Sequence, residues 1–349
     1  MTGLITFITL APLVGAAMIV GLEPQKKSLA RGLGLAFSLL PLALTCVLWR
    51  NFDTSSGELQ FVERHPWIPS LNVEYFVGVD GLGLLMVLLA ALIVPFALLA
   101  SWRLDENPRA FVALMLFLQS GMIGAFTALN FIHWFLFWEL SLVPAYFLIK
   151  LWGGPQRAAA ANQFFIYTMV GSVTLLLSML AVFLVTGSWD FIALAEKGRS
   201  GELASLFNVR IAGWYGLSPK ALALVIFFGA FLGFAVKVPL VPFHTWLPAT
   251  YAEAPASVSM LLTGVMSKMG VYGFLRVLLP IFPEQMRQAL TPLLWLAVAT
   301  IVLSAWAAMA QRDLKRMVAY SSINHLGYCL LGIFAVTQVT GSEPQWPTK

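Results

Sequence analysis

Long apolar segments, separated by shorter polar ones, repeat along almost the whole chain. Ten of them approach the roughly 20 residues that a helix needs to cross the hydrocarbon core of a bilayer. The pattern therefore predicts an all-α integral membrane protein with about ten transmembrane helices. The predicted spans are residues 2–22, 29–49, 80–102, 110–130, 131–151, 160–187, 219–241, 254–280, 288–310 and 315–338.

Two longer polar segments interrupt this series. Residues 51–79 carry four acidic residues and two prolines, and we predict that they form a polar loop. Residues 188–218 contain FIALAEKGRSGELASLF, a sequence typical of an amphipathic helix that lies on the membrane surface. Both segments are expected to lie outside the hydrocarbon core.

Lysine and arginine residues predict how the helices are oriented. They are concentrated in the loops after the first, third, fifth and ninth spans, and alternate loops lie on one side of a membrane. Because short basic loops stay in the cytoplasm, we predict that this side is cytoplasmic. The N-terminus and residues 51–79 are then predicted to face outward. Residues 188–218 are also basic although they fall on the outer side, an exception that long loops permit.

The composition agrees with a membrane protein. The 349 residues are 59% hydrophobic and 11% charged, whereas soluble domains carry about 25% charged residues. The net charge of +5 is spread over several loops, so no nucleic-acid-binding patch is predicted. Cys46 and Cys329 lie in separate apolar segments, and we predict that they are small core residues rather than a disulfide or a metal site.

Three ionisable side chains, Glu139, Lys237 and Lys268, fall deep inside predicted spans. A charge at the centre of a membrane helix costs roughly 2.5–3.5 kcal/mol, so each is expected to pair or to face water. A structural ion pair is one interpretation, but one carboxylate cannot neutralise two lysines. Burial disfavours an ammonium group and a nearby carboxylate favours it. A lysine held between these influences can take up and release a proton, as a proton relay requires.

Two prolines and two histidines support the relay interpretation. Pro239 and Pro242 follow Lys237, and each removes a backbone donor and leaves a carbonyl unpaired. A broken helix beside a buried charge is a recurring feature of ion transporters, although a proline-kinked packing helix is the alternative. His244, placed at the cytoplasmic end of the seventh span, and His325, inside the tenth, titrate near neutral pH. Each is equally consistent with a hydrogen-bonded packing residue.

Several motifs now resemble a known family. The chain is similar to membrane subunit M of proton-pumping NADH:quinone oxidoreductase, respiratory complex I, from the first span to about Thr337. The block containing FHTWLP, EAP and LLTGVMSKMG is shared by antiporter-like subunits. The motifs WELSLVP and ERHPWIP favour subunit M over its sister subunits L and N. The remaining similarity lies in VEYFVGVDGLGL, AYFLIKLWGG and QRDLKRMVAYSSINHLGY.

The resemblance implies a site and a setting. Glu139 is expected to pair with Lys237, Lys268 to pass the proton on, and His325 to continue the relay, with His244 as a further member. NADH, FMN, iron–sulfur clusters and quinone are expected in partner subunits of this respiratory-chain oxidoreductase, and no cofactor in this chain. The expected partners are L- and N-type membrane subunits and the lipid of a bacterial cytoplasmic membrane.

The family architecture also implies domain boundaries. We expect three leading helices over residues 1–103, a complete first five-helix repeat over 104–280, the first two helices of a second repeat over 281–338, and a polar tail over 339–349. The rest of the second repeat, with the proton exit, is expected to be missing. A naturally short subunit and a truncated gene product are both open. Two other functions are also open: a subunit of a multi-subunit sodium/proton antiporter, and a scaffold that does not pump protons.

Overall fold

The chain forms a bundle of helices with one two-stranded β-hairpin. A computed structural model describes residues 3–210 and 218–339. The strands are β1 (Gln60–Ile68) and β2 (Val73–Val79). The helices are α1 (Leu4–Val20), α2 (Lys27–Arg50), α3 (Gly81–Ala100), α4 (Pro108–Thr127), α5 (Phe131–Trp152), α6 (Arg157–Thr186), α7 (Phe191–Arg199), α8 (Glu202–Arg210), α9 (Pro219–Lys237), α10 (Trp246–Glu253), α11 (Ala256–Ile281), α12 (Pro283–Gln288), α13 (Leu290–Met309) and α14 (Leu314–Val339).

The helical membrane fold predicted from hydropathy is confirmed. Within the described ranges, nine helices are long and apolar enough to cross a membrane. The remaining predicted span, residues 2–22, corresponds to α1, which is slightly shorter at 17 residues. The amphipathic segment predicted within residues 188–218 forms two short helices, α7 and α8. The predicted polar tail lies outside the described residues from position 340 onward.

Residues 60–79 form a hairpin that the sequence analysis treated only as a polar loop. Strands β1 and β2 pair in antiparallel fashion, joined by a single turn of 3₁₀-helix at Pro69–Leu71. The second strand buries Val73, Phe76, Val77 and Val79, which gives this short sheet an apolar face to pack on the helix ends. This packing supplies the stability that an isolated hairpin lacks in water.

Ion pairs and hydrogen bonds of charged side chains attach the hairpin to the helix bundle. Arg64 binds Glu74 at 2.6 Å and Asp190 at 3.0 Å, and the hydrogen bond that it donates to Glu74 raises the pKa of this guanidinium. Glu63 accepts a hydrogen bond of 2.9 Å from the backbone N–H of Ile5. A carboxylate at this position also complements the positive end of the α1 dipole. The hairpin therefore bridges the beginning of α1 and the beginning of α7.

The hairpin also contacts the segment that follows α6. The Asn72 side chain donates to the carbonyl of Gly187 at 2.7 Å, across 115 residues of sequence. The indole of Trp189 donates to the carbonyl of Leu71 at 3.1 Å, across 118 residues. These contacts place the hairpin and the end of α6 at the same end of the bundle.

The basic loops lie together at the opposite end, as the alternation of loops predicts. Arg31, near the beginning of α2, pairs with Asp105 at 2.9 Å and so joins α2 to the loop after α3. Trp152 donates to the carbonyl of Glu106 at 2.7 Å, which adds the loop after α5. Lys315, after α13, donates to the carbonyls of Ala252 and Ala254 at the end of α10, at 3.1 Å each. That this end is cytoplasmic stays a prediction.

The prediction that the two cysteines are core residues is wrong. Both Cys46 on α2 and Cys329 on α14 are free and exposed at the surface of the bundle. Membrane helices are apolar on the lipid side as well as on the packed side, so hydropathy does not indicate which face is buried.

Helices α4 and α5 approach each other closely because α4 carries glycine at the contact. A Cβ atom added at Gly121 would lie 2.8 Å from the backbone nitrogen of Ser141 and 3.0 Å from its Cα atom. Small residues of this kind allow membrane helices to pack backbone against backbone. The contact fixes the position of α5.

We expect Gly121→Ala to destabilise the protein by about 1–3 kcal/mol, because the added methyl group meets backbone that cannot turn aside. The measurement is thermal unfolding of the purified protein in detergent. Gly332→Ala on α14 is the matched control, since its methyl group would meet nothing within 4 Å. Equal stability of the two variants would contradict this account of the α4–α5 contact.

Candidate functional site

Lys237 lies at the end of α9, deep inside the bundle. It is the last residue of the helix and is 4% exposed. The helix ends here because Pro239 and Pro242 cannot continue its hydrogen-bonding pattern. Within the described chain, the Lys237 ammonium contacts the ring of Trp138, with Nζ 4.7 Å from the ring centroid, and donates no hydrogen bond. The predicted break beside this lysine is therefore present.

Side chains satisfy the backbone groups that the break exposes. The indole N–H of Trp246 donates to the carbonyl of Val236 at 3.0 Å. The N–H of Val241 donates to the hydroxyl of Thr300 on α13 at 3.1 Å. In hydrocarbon an irregular segment is tolerated only when its polar groups are paired in this way. The break is therefore stabilised by specific hydrogen bonds from other parts of the fold.

The break lies earlier than the predicted span of 219–241 implies. The regular helix stops at Lys237, and the next helix, α10, runs from Trp246 to Glu253. Placement of His244 at the cytoplasmic end of a helix is accordingly wrong, because this residue lies within the break itself. The cause is that a hydropathy window counts Val238, Leu240 and Val241 as helical although prolines separate them.

Glu139 projects from α5 into the same region. The neighbouring Trp138 donates its indole N–H to the hydroxyl of Ser172 on α6 at 3.0 Å, and Ser172 also lies beside the Glu139 carboxylate. One oxygen of that carboxylate is buried and has no hydrogen-bond partner among the described residues. Glu139 and Lys237 interact electrostatically, but among the described residues they form no direct ion pair. Trp138 and Ser172 provide the connection between them.

Lys268 lies on α11, just after a turn of π-helix at Leu262–Met266. Its ammonium donates to the carbonyl of Thr263 at 2.5 Å. The hydroxyl of Ser267 donates to the same carbonyl at 3.0 Å. Cys329 of α14 is close enough to interact electrostatically with Lys268. Unlike Lys237, this lysine has a hydrogen-bond acceptor within its own helix.

A small cavity lies between Lys237 and α11. Its volume is about 10 Å³. The hydroxyl of Tyr251 donates to the carbonyl of Leu262 at 3.1 Å and lies next to Ser267. The cavity is lined by Phe164, Lys237, Trp246, Tyr251, Leu262, Met266 and Ser267.

The sequence analysis missed the hydroxyl groups of this region. A signal was present, because Ser259, Thr263 and Ser267 recur every fourth residue before Lys268. That spacing places all three on one face of a helix. Tyr251 had no comparable signal, since the segment between the seventh and eighth spans was not predicted to be helical.

The two histidines lie at different depths. His244 is half-buried in the break, its ring centroid is 6.3 Å from that of Tyr320 on α14, and its Nδ1 atom has no hydrogen-bond partner in the structure. His325 is exposed on α14, one helical turn before Cys329. The fold therefore gathers Glu139, Lys237 and Lys268 and leaves His325 on an uncovered face.

Helix α10 connects the break with a cleft at the basic end of the bundle. The cleft has a volume of about 790 Å³, and Glu253, the last residue of α10, lies in its wall. The Glu253 carboxylate accepts a hydrogen bond from the backbone N–H of Gln156 at 2.9 Å. Among the described residues, no three His, Cys, Asp or Glu side chains are grouped as metal ligands.

Residues 128–343 match the family described as NADH:quinone oxidoreductase/Mrp antiporter, transmembrane. This match covers more than half of the chain and includes Glu139, Lys237 and Lys268. The chain belongs to this family. The resemblance to the antiporter-like membrane subunits of complex I, on which the sequence analysis relied, is thereby confirmed.

Curated relatives support the same assignment. NAD(P)H-quinone oxidoreductase chain 4 2 of Thermosynechococcus vestitus is 40% identical over 96% of this chain and 60% of its own length. NADH-quinone oxidoreductase subunit M of Rhodobacter capsulatus is 35% identical over 97% of this chain and 65% of its own length. The chain thus spans less than two thirds of the length of these relatives.

Two solved structures have a similar fold. A chain of respiratory complex I from Thermus thermophilus superimposes with a TM-score of 0.78 at 30% identity, covering 95% of this chain and 64% of the other. A chain of the Mrp complex from Dietzia sp. DQ12-45-1b superimposes with a TM-score of 0.78 at 22% identity, covering 95% and 58%. At that lower identity the second likeness shows the fold alone.

We expect Thr300→Val to lower the free energy of unfolding by about 1–3 kcal/mol, because the N–H of Val241 then loses its acceptor inside the bundle. Thermal unfolding in detergent measures the change. Thr45→Val is the control, since Thr45 is fully buried but its hydroxyl donates only to a carbonyl of its own helix. An equal loss in both variants would show that the bond to the break has no special role.

Proposed function

We propose that this chain is a proton-translocating membrane subunit of NADH:quinone oxidoreductase, and that Glu139, Lys237 and Lys268 carry the protons. One observation supports this proposal above the others. Lys237 is a buried ammonium at a helix break, between a carboxylate and a second lysine, and it has no hydrogen-bond acceptor among the described residues. A purely structural lysine would be expected to donate hydrogen bonds to fixed acceptors, and Lys237 donates none among the described residues.

The proposed mechanism depends on two opposing energies at Lys237: the cost of burying its ammonium group and the attraction of that group to the Glu139 carboxylate. Burying a charge in a membrane helix costs roughly 2.5–3.5 kcal/mol. Opposite charges about 4–8 Å apart attract each other by roughly 2–4 kcal/mol at the effective dielectric constant of protein sites. The two energies are similar, so a small displacement of Glu139 decides whether Lys237 holds its proton. Electron transfer in partner subunits would drive such displacements.

The proposed relay continues beyond Lys268 toward α14. Cys329 is close enough to interact electrostatically with Lys268, and His325 is one turn away from Cys329 on the same helix. We assign His325 as the next proton acceptor and His244, within the break, as a further member of the relay. Since His325 is exposed in this chain, the continuation requires further protein on that face.

The proposed setting follows from the same assignment. NADH, FMN, iron–sulfur clusters and quinone would be bound by partner subunits, and L- and N-type membrane subunits would be neighbours in a bacterial cytoplasmic membrane. The basic end would face the cytoplasm and the hairpin the outside. Helices α13 and α14 offer an apolar surface to lipid or to these neighbours through Trp295, Trp306, Met309 and Leu314, each at least 64% exposed.

A sodium/proton antiporter subunit is the second candidate. The observation that favours it is the equal TM-score of the Mrp complex chain. The higher identity to the complex I chain and the curated relatives support the first candidate. A scaffold that assembles without pumping is the third, and the shorter span of the chain relative to its relatives motivates it.

We expect Lys237→Ala and Glu139→Gln each to reduce proton pumping at least about tenfold, because each removes a proton-carrying group. Pumping is measured as acidification of inverted membrane vesicles driven by NADH and is normalised to the amount of assembled complex. Lys220→Ala is the control, since Lys220 is an exposed lysine at the opposite end of the same helix. Normal pumping by an assembled Lys237→Ala complex would refute the proposal.

Replacement of sodium by choline distinguishes the two transport candidates. We expect NADH-driven acidification to continue at an unchanged rate without sodium, since protons are the proposed cargo. The control is the same assay with a protonophore, which should abolish the signal. A rate that falls to background without sodium would favour the antiporter candidate, whereas no pumping under any condition by an assembled complex would favour the scaffold.

A further inference from the structure

A cavity of about 590 Å³ lies at the hairpin end of the bundle. Its walls come from the loop after α2, the beginning of α3, helix α7 and the last turns of α11. The volume is within the roughly 300–1,000 Å³ of small-molecule sites. Because α3 begins and α11 ends here, the cavity lies where these two membrane-spanning helices reach the edge of the bilayer.

Arg276 of α11 lines this cavity and is held in place by two hydrogen bonds. Its side chain donates to the Asp80 carboxylate at 2.6 Å and to the Tyr272 hydroxyl at 3.1 Å. Asp80 in turn caps α3, since it accepts from the N–H of Gly83 at 2.8 Å. An arginine side chain carries five N–H groups, and these bonds use two of them. No described residue accepts a hydrogen bond from the other three.

Arg199, in the last turn of α7, gives the cavity a net positive charge. Its side chain lines the cavity, and its guanidinium forms no ion pair or hydrogen bond with any described residue. The charged residues of the lining are two arginines and one aspartate, so their net charge is +1. Guanidinium groups bind phosphate oxygens through parallel N–H bonds. The cavity is therefore complementary in charge to a ligand that carries a phosphate group.

An exposed apolar face of α3 begins at the same cavity. Leu82 lines the cavity and is 37% exposed. Four further exposed side chains follow it at intervals of three, seven, four and three residues, which places them on one face of the helix. They are Leu85, Leu92, Phe96 and Leu99. At roughly 1.5 Å per residue, this face continues along α3 for about 25 Å from the cavity.

We propose that this cavity binds the headgroup of an anionic phospholipid, whose phosphate contacts Arg199 and Arg276 and whose acyl chain lies along the exposed face of α3. The net positive charge favours a phosphate, and the apolar face favours an acyl chain. The position at the edge of the bilayer favours a molecule that has both. This inference does not depend on the proposed function, because lipid binding requires neither proton transport nor partner subunits.

Two other ligands account for only part of these observations. A free phosphate would match the two arginines but leaves the apolar face of α3 unexplained. A second copy of this chain would cover the apolar face but gives no role to the N–H groups of Arg276 that have no acceptor among the described residues. The phospholipid accounts for the charge, the apolar face and their continuity at Leu82.

The test is native mass spectrometry of the full chain, released from vesicles that contain equal amounts of phosphatidylglycerol and phosphatidylcholine. Both lipids have the same acyl chains, and only phosphatidylglycerol carries a net negative charge. We expect the chain to retain phosphatidylglycerol about fivefold more than phosphatidylcholine. This ratio corresponds to the contribution of about one arginine beside an anionic lipid.

Three variants locate the binding site. Arg199→Ala should remove most of the preference for phosphatidylglycerol, because the lining loses its net charge. Arg276→Lys keeps the charge but loses the forked N–H groups, and a smaller decrease is expected. Ala195→Trp places an indole in the cavity and should reduce the amount of phosphatidylglycerol retained. Arg287→Ala is the matched control, since Arg287 is an exposed arginine of α12 that does not line the cavity.

Several results would overturn the inference. Equal retention of the two lipids by the unaltered chain is the first, and equal losses in Arg199→Ala and Arg287→Ala, which would indicate only general surface charge, are the second. Displacement of the lipid by inorganic phosphate would show that the cavity binds a free anion. A lipid-free dimer would show that the face of α3 binds a second copy. Because Arg199 is exposed at a helix end, its variant keeps the test decisive if Ala195→Trp does not fold.

Discussion

The need to pair every backbone polar group inside hydrocarbon is the constraint on which the rest of this structure depends. Interrupting α9 would be costly if its freed groups met lipid. Trp246 and Thr300 pair two of them, so the helix can end at Lys237 in the interior of the bundle. This pairing of backbone groups allows Lys237 to lie inside the bundle. It also allows α10 to begin close to that lysine.

The two buried lysines are accommodated differently. Lys268 donates to a carbonyl of its own helix, whereas Lys237 contacts an aromatic face and a cavity. The ammonium of Lys268 therefore has a fixed oxygen acceptor, whereas that of Lys237 has the face of an aromatic ring.

Sequence patterns were sufficient for the helices, the buried charges and the presence of the break, because these depend on composition and proline chemistry. Sequence patterns did not predict that residues 60–79 form a hairpin or that His244 lies in the break. Both features depend on packing between distant parts of the chain. Tyr251 and Ser267 line the same cavity as Lys237 only in the folded chain, and no local sequence pattern connects all three. The exposure of Cys46 and Cys329 depends on which helix face meets a neighbour, and hydropathy does not record that.

The contacts between the hairpin and the segment after α6 also impose an order on assembly. Asn72 and Leu71 leave the ribosome more than 100 residues before Gly187 and Trp189, which they later bind. Four membrane-spanning helices, α3 to α6, lie between these two parts of the chain. Four crossings return the chain to the side from which it started, so these bonds close only when all four helices are inserted in the correct sense. These two hydrogen bonds are therefore available only to chains whose helices have the correct topology.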